Sequence, residues 1–102
     1  MIIRRWQAPV TPDLDQIKKM FLLEGLKPFL EDLPENTEVK DRIFPFDEVR
    51  IIVSGELILE VSGSRVLLRE GDRVMIPSNT THTVTTHKGS SRSLYARKVF
   101  SS

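Results

Sequence analysis

The sequence contains no cysteine among its 102 residues, which excludes disulfides, thiolate metal sites, iron–sulfur clusters and a cysteine nucleophile. It also has no apolar run longer than a few residues, so neither a membrane span nor a signal peptide is visible. An excess of one charge sign is absent as well, because 15 Lys and Arg face 14 Asp and Glu, for a formal net charge of +1. This balance argues against non-specific attraction to nucleic acid or to an anionic membrane. We therefore expect a cytoplasmic protein that binds neither nucleic acid nor a membrane.

The remaining composition is that of an ordinary folded domain, with 39% apolar and 28% charged residues. A chain of 102 residues suffices for one hydrophobic core of ordinary size and is too short for two. We predict a single domain over residues 1–102, divided into an N-terminal arm at 1–10, a short helix at 11–25 and a β-barrel at 38–100.

The predicted helix has recognisable signals at both ends. Thr11 can cap the first backbone N–H groups, Pro12 is tolerated at the first helical position, and Asp13 suits the positive end of the helix dipole. Apolar residues recur at helical spacing from Leu14 onward, and Gly25 offers a left-handed stop. The prolines between residues 26 and 38 argue against a second long helix.

From residue 38 the pattern changes to short β-branched runs, predicted as strands at 38–43, 49–54, 56–62, 65–69, 73–77, 82–87 and 92–100. Turn signals lie between several of them, at residues 62–64 and 70–72. Strands this closely spaced favour an all-β sandwich or barrel over βαβ units, which need a helix between strands. The alternation predicts one inward apolar face, formed by Leu57, Leu59, Val61, Val66, Leu68, Val74 and Ile76.

Several spacings in this region resemble the two sequence motifs of the cupin superfamily. Glu48 is followed after six residues by Gly55, five residues separate Gly71 from Pro77, and His82 comes five positions after Pro77. The resemblance implies an all-β fold, the double-stranded β-helix or jelly roll, with one short N-terminal helix and a ligand pocket in the barrel mouth.

The resemblance also implies a divalent metal, held by three histidines and the motif glutamate. Glu48 and His82 match two of those ligand positions, whereas Arg42 and Phe44 stand at the other two. A phenylalanine offers no lone pair, and a guanidinium carries a permanent positive charge that repels a dication. We therefore predict a degraded metal site, with no metal and no cofactor.

We predict that the protein binds a small anionic or polar molecule in the barrel mouth, with Arg42, Phe44, Arg50 and Arg97 as ligand-binding residues. Arg50 lies two residues after Glu48 and shares its face on a regular strand. The competing interpretation of Arg50 and Arg97 is that of solvated surface arginines. Glu48 can also pair with Arg42 or Arg50, since a buried carboxylate needs a cationic partner.

Three other functions stay open at this stage. A metal-free isomerase or epimerase would use His82 as base, Glu48 to orient it and Tyr95 as acid. A metal-dependent oxygenase or isomerase would need a further ligand such as His87, although its odd separation from His82 places it on the opposite strand face. A purely structural role would require a homodimer, which the resemblance favours. Residues 1–6 are suited to strand exchange between the two barrels of such a dimer.

Overall fold

The alternating pattern of the sequence corresponds to two antiparallel sheets in a computed structural model, which describes residues 1–98. The strands are β1 (Ile2–Arg4), β2 (Phe29–Leu33), β3 (Glu38–Arg42), β4 (Asp47–Ser54), β5 (Leu57–Val61), β6 (Ser64–Leu68), β7 (Arg73–Ile76), β8 (His82–Thr85) and β9 (Ser91–Lys98), with helix α1 (Leu14–Leu23) between β1 and β2. The end of the last predicted strand, at 99–100, and the tail at 101–102 lie outside the described residues.

The order of the strands is β1-β7-β4-β9-β2 in the five-stranded sheet and β3-β8-β5-β6 in the four-stranded sheet. This arrangement confirms the predicted all-β jelly roll with one short N-terminal helix. Two strands were not predicted, β1 and β2, and both lie at the edges of the larger sheet. Pro28 and Pro34 flank β2, where a missing backbone N–H is tolerated because an edge strand is paired on one side only.

Helix α1 begins later than its sequence signals indicate. Asp13 is the N-cap: its carboxylate accepts a hydrogen bond from the Gln16 N–H, while the Gln16 side chain accepts one from the Asp13 N–H. The predicted start at Thr11 is therefore wrong by two residues. The predicted stop is confirmed, because Gly25 adopts a left-handed φ of 75°. Within residues 1–98, no helix has the length and apolar character needed to cross a membrane.

Strand β4 is buried on both faces and divides the molecule into two apolar clusters. Its outer face packs under α1 in a cluster of Ile17, Phe21, Val49, Ile51, Leu94 and Ala96. Its inner face contributes Ile52 to the second cluster, which extends on β7 as far as Val74 and Ile76, the neighbours of Arg50 and Glu48. We call this cluster the apolar end: Leu33, Ile52, Leu57, Leu59, Leu68, Val74, Ile76 and Val84. The predicted inward face of β5 to β7 is thus confirmed.

The turn between β6 and β7 has no room for a side chain. Gly71 has a φ of 87°, and a Cβ atom there would lie 2.6 Å from the Trp6 ring. Trp6 therefore covers this turn rather than a ligand. Asn79 adopts a left-handed φ of 59° in the β7–β8 loop, a conformation that asparagine tolerates better than most residues.

Candidate functional site

The other end of the barrel interior is polar, and β4 supplies its two most deeply buried charges. Glu48 and Arg50 alternate with the outward-facing residues of the strand, so both point into the barrel together with Ile52. Each is only 1% exposed. The prediction that the two share a face is confirmed, and the interpretation of Arg50 as a solvated surface residue is wrong.

Four side chains form an alternating series of charges, which we call the charge ladder: Arg42, Glu31, Arg50 and Glu48. The Arg42 guanidinium donates to both Glu31 carboxylate oxygens, at 3.2 and 2.9 Å. Nη1 of Arg50 lies 2.9 Å from Oε1 of Glu31, and Nη2 of Arg50 lies 3.1 Å from Oε1 of Glu48. The ladder joins β3, β2 and β4 and carries two charges of each sign, so it is internally neutral.

Burial and ion pairing shift the pKa values of the ladder residues Glu31 and Arg50 in opposite directions. Burial alone would raise the pKa of Glu31, but hydrogen bonds from Arg42 and the charge of Arg50 outweigh it and hold that pKa below its ordinary value. Burial likewise disfavours the charged form of Arg50, yet the charges of Glu48 and Glu31 raise its pKa. Both groups are therefore ionised at neutral pH.

Arg50 is held on all sides of its guanidinium. Nη1 donates to the Ser93 hydroxyl at 3.1 Å, and the guanidinium carbon lies 5.2 Å from the centre of the Tyr95 ring. The pairing of Glu48 with Arg50 is one of the two partners proposed from the sequence. The other proposed partner, Arg42, pairs with Glu31 instead.

His82 begins β8 opposite Arg42 and is buried. Its Nδ1 lies 3.0 Å from the Thr80 carbonyl oxygen, which can only accept, so Nδ1 donates this bond and, in the neutral imidazole, Nε2 has the lone pair. Among the described residues Nε2 has no hydrogen-bond partner. The Phe44 ring lies 5.8 Å from the imidazole and stacks on Phe46 at 5.0 Å.

Aromatic rings and a cation surround the outer part of the polar end. The Arg97 guanidinium lies over the Phe29 ring at 5.6 Å and over the Phe46 ring at 5.0 Å. Phe29 also contacts Tyr95, with 5.7 Å between ring centres. We call Phe29, Phe46, Tyr95 and Arg97 the rim. As predicted, Tyr95 and Arg97 share the inner face of β9, whereas His87 is exposed.

The structure thus brings the sequence-predicted site residues to one end of the barrel and adds Glu31, which sequence reasoning missed. Residues 29–33 alternate outward and inward side chains, which is the signal that could have revealed β2. Flanking prolines at both ends made this segment resemble a connecting loop. Glu48 and His82 lie at the same end, but the hydrogen bonds of Glu48 go to Arg50.

Two antiparallel sheets enclosing one apolar and one polar end define a jelly-roll barrel with an interior site. The chain matches the cupin domain family over residues 29–94 and belongs to that family. No curated protein matched the sequence. Solved structures that share less than 25% identity support the fold alone, and three of them illustrate it.

The DMSP lyase DddQ from Ruegeria pomeroyi DSS-3 is 23% identical, with a TM-score of 0.68 over 72% of this chain and 38% of its own. A cupin superfamily protein from Desulfitobacterium hafniense DCB-2 is 14% identical, with a TM-score of 0.66 over 97% of this chain and 77% of its own. Salicylate 1,2-dioxygenase from Pseudaminobacter salicylatoxidans is 18% identical, with a TM-score of 0.65 over 71% of this chain and 20% of its own. The chain therefore spans well under half of the lyase and of the dioxygenase.

A divalent cation does not fit the side chains of the polar end. Among residues 1–98, no three His, Asp or Glu side chains are grouped so that they could hold a metal ion. The carboxylate of Glu48 is paired with Arg50, and Arg42 brings a second fixed positive charge to the strand position beside His82. These guanidinium groups occupy the carboxylates that a cation would need.

Proposed function

We propose that this cupin binds a small anionic molecule at the polar end of its barrel, through arginine side chains in place of a metal ion. The observation that carries the proposal is the pair of inward-pointing guanidinium groups of Arg42 and Arg50. The Arg50 side chain is only 1% exposed. Arginine presents a planar set of N–H donors that suits carboxylates and phosphates. The proposal gives a deeply buried arginine a role in recognising such an anion.

The rim supports the same proposal. The ladder is neutral by itself, whereas Arg97 adds a positive charge at the rim and Lys27 lies 5.8 Å from the Phe29 ring. The rings of Phe29 and Phe46 offer flat apolar surfaces to the organic part of a ligand. An exposed cation beside such rings favours a small organic anion over a neutral molecule.

The test is thermal unfolding of the protein with a panel of small organic carboxylates and phosphates, each beside its neutral amide or alcohol. A binding anion should raise the unfolding temperature of the wild type by about 5 °C at ten times its Kd. Arg97→Gln should weaken that response. The matched control is Arg65→Gln, which removes an exposed arginine paired with Glu60 on the β5–β6 hairpin, away from the charge ladder.

The control variant should respond to the anion as the wild type does. A panel in which anions and their neutral analogues act alike would refute the proposal, as would equal loss of response in Arg97→Gln and Arg65→Gln.

A second candidate function is metal-free proton transfer with His82 as the base. The unpartnered, buried Nε2 of His82 favours it, because the Thr80 carbonyl fixes the tautomer that leaves this lone pair available. Glu48 pairs with Arg50, so Thr80 supplies the orientation that sequence reasoning assigned to Glu48. Tyr95 remains the proposed acid.

This candidate is tested by NMR in D2O, where a base would exchange the α-hydrogens of keto-sugars or β-diketones for deuterium. We expect exchange with the wild type that is lost in His82→Ala and reduced in Tyr95→Phe. Exchange that continues unchanged in His82→Ala, or that does not exceed the rate in buffer, would exclude this function.

A further inference from the structure

Glu31 makes contacts that are typical of a bound carboxylate rather than of a surface side chain. Its two oxygens accept both Arg42 donors in a fork, at 3.2 and 2.9 Å, and Oε1 also lies 2.9 Å from Nη1 of Arg50. A carboxylate clamped between two guanidinium groups is the arrangement by which proteins recognise carboxylate ligands. Here the carboxylate comes from β2 of the same chain.

We propose that Arg42 and Arg50 form a carboxylate-binding site, which Glu31 fills in this structure, and that the carboxylate of a ligand takes the place of Glu31. The proposal rests on the proposed function and names the chemical class of its ligand. It also assigns a role to Glu31, which holds the site in a paired state until the ligand enters.

The position of Glu31 in the fold makes such an exchange feasible. Among the strands of residues 1–98, β2 lies at the edge of its sheet and pairs with β9 on one side only. The side chains of Glu31 and Arg42 are 21% and 16% exposed, against 1% for Arg50, so the outer part of the ladder reaches solvent. The flexible side chain of Glu31 can turn outward into water while β2 stays paired.

The inner part of the ladder remains paired during the exchange. Arg50 keeps its bonds to Glu48 and Ser93 when Glu31 leaves, so no buried charge is stranded. Replacing one carboxylate by another preserves the partners of both guanidinium groups. The exchange is therefore governed by the remainder of the ligand and its contacts with the rim.

The closing experiment uses Glu31→Ala with acetate as the probe. This substitution removes the CH2–COO⁻ part of the side chain, which acetate matches in size, shape and charge. We expect the variant to unfold at a lower temperature than the wild type, and acetate to raise that temperature saturably by about 5 °C. Acetamide, the neutral isostere, and chloride at equal ionic strength should not do so.

The matched control variant is Glu38→Ala, which removes the same charge from β3, the next strand along the chain. There Glu38 pairs with Lys40 at 3.3 Å. Acetate should not stabilise this control beyond chloride. If Glu31→Ala does not fold in buffer, its refolding yield from urea in acetate and in chloride provides the same comparison. Equal effects of acetate, acetamide and chloride on Glu31→Ala would overturn the proposal.

The wild-type response separates this proposal from the proposed function. An anion that binds the wild type and Arg42→Gln equally well would support the function and overturn the assignment of Arg42. If acetate rescues Glu31→Ala but the wild type responds to no anion, Arg42 and Arg50 bind a carboxylate, whereas both the proposed function and the exchange of Glu31 for a ligand are overturned.

Discussion

The two ends of the barrel interior are built from the same strands and have opposite chemistry. On β4 the inner face changes from Ile52, in the apolar end, to Arg50 and Glu48 within four residues. Each fully buried aliphatic side chain of the apolar end stabilises the fold by about 1.5–3 kcal/mol. A buried ion pair contributes little net stability, because the cost of removing its charges from water offsets their attraction.

This difference indicates what each end is for. The apolar end stabilises the fold together with the cluster under α1, and we expect that apolar side chains could replace the buried ion pair with little loss of stability. The charge ladder stands instead where the family resemblance places a ligand pocket, and its Arg50 guanidinium lies against the rim residue Tyr95. The proposed anion binding would give these buried charges a role in recognition. The following predictions test this division of roles.

The largest effect should come from breaking the ladder at its most buried member. Arg50→Met should destabilise the protein by about 4 kcal/mol, because it leaves the Glu48 carboxylate buried without its partner. The double variant Glu48→Leu, Arg50→Met should recover to within about 1 kcal/mol of the wild type. Urea unfolding of the three proteins measures both effects.

The comparison between the two ends depends on the double variant. If it is as unstable as Arg50→Met, the ladder stabilises the fold and the division of roles is wrong. The exposed Arg65→Met provides the control for loss of an arginine and should leave the free energy of unfolding unchanged.

The apolar end should respond in the opposite way, since no second substitution can offset the loss of a buried side chain there. Leu59→Ala should cost about 3 kcal/mol through lost burial and the cavity left behind. Leu23→Ala is the matched control, because Leu23 is 88% exposed on α1. Urea unfolding should show a large loss for the first variant and almost none for the second; equal losses would contradict the assignment of Leu59 to the core.

The sequence was sufficient to predict the apolar end and most of the strands. Alternation along β5, β6 and β7 defines one inward face, and the turn at Gly63 fixes how β5 and β6 pair. The same alternation placed Glu48 and Arg50 on one face. These features depend on short-range spacing, which a single sequence displays directly.

The partners within the polar end could not be predicted, because they depend on strands that are distant in sequence. Glu31 meets Arg50 only because β2 and β4 both pair with β9, on its two sides. Sequence reasoning left Arg42, on β3, and Arg50, on β4, as alternative partners of Glu48. The choice between them required the position of β2, which the flanking prolines concealed.

A buried carboxylate with backbone partners should behave differently from the ladder. Asp72 accepts hydrogen bonds from Arg5 and from the backbone N–H groups of Trp6 and Arg69, at 2.7, 3.0 and 2.9 Å. Burial opposes its ionisation, but these bonds outweigh burial and lower the pKa of Asp72. Asp72→Asn should therefore cost about 2 kcal/mol at neutral pH.

The pH dependence follows from the direction of that shift. A carboxyl group whose folded pKa lies below its unfolded value of about 3.9 adds stability above that pH, and this stability is lost as the pH falls through the folded pKa. The difference in unfolding temperature between the wild type and Asp72→Asn should shrink below about pH 4. A difference independent of pH would show that shape, and not charge, determines the role of Asp72. The exposed Glu35→Gln is the control and should not change the unfolding temperature.

The smallest effect should be a gain of stability in the turn between β5 and β6, which lies beside the polar end because Val61 pairs with His82. Ser62 and Gly63 join β5 to β6 with φ values of 52° and 80°, the left-handed pair of a two-residue hairpin turn that favours Asn-Gly. Ser62→Asn should therefore stabilise the protein by about 0.5 kcal/mol, because asparagine adopts this conformation at lower cost than serine. Ser64→Asn, one strand position beyond the turn, is the matched control and should bring no gain. Thermal unfolding measures both variants, and the anion response of Ser62→Asn should equal that of the wild type, because the contacts of the charge ladder and the rim do not involve Ser62. A changed response would mean that the turn beside His82 contributes to the proposed site.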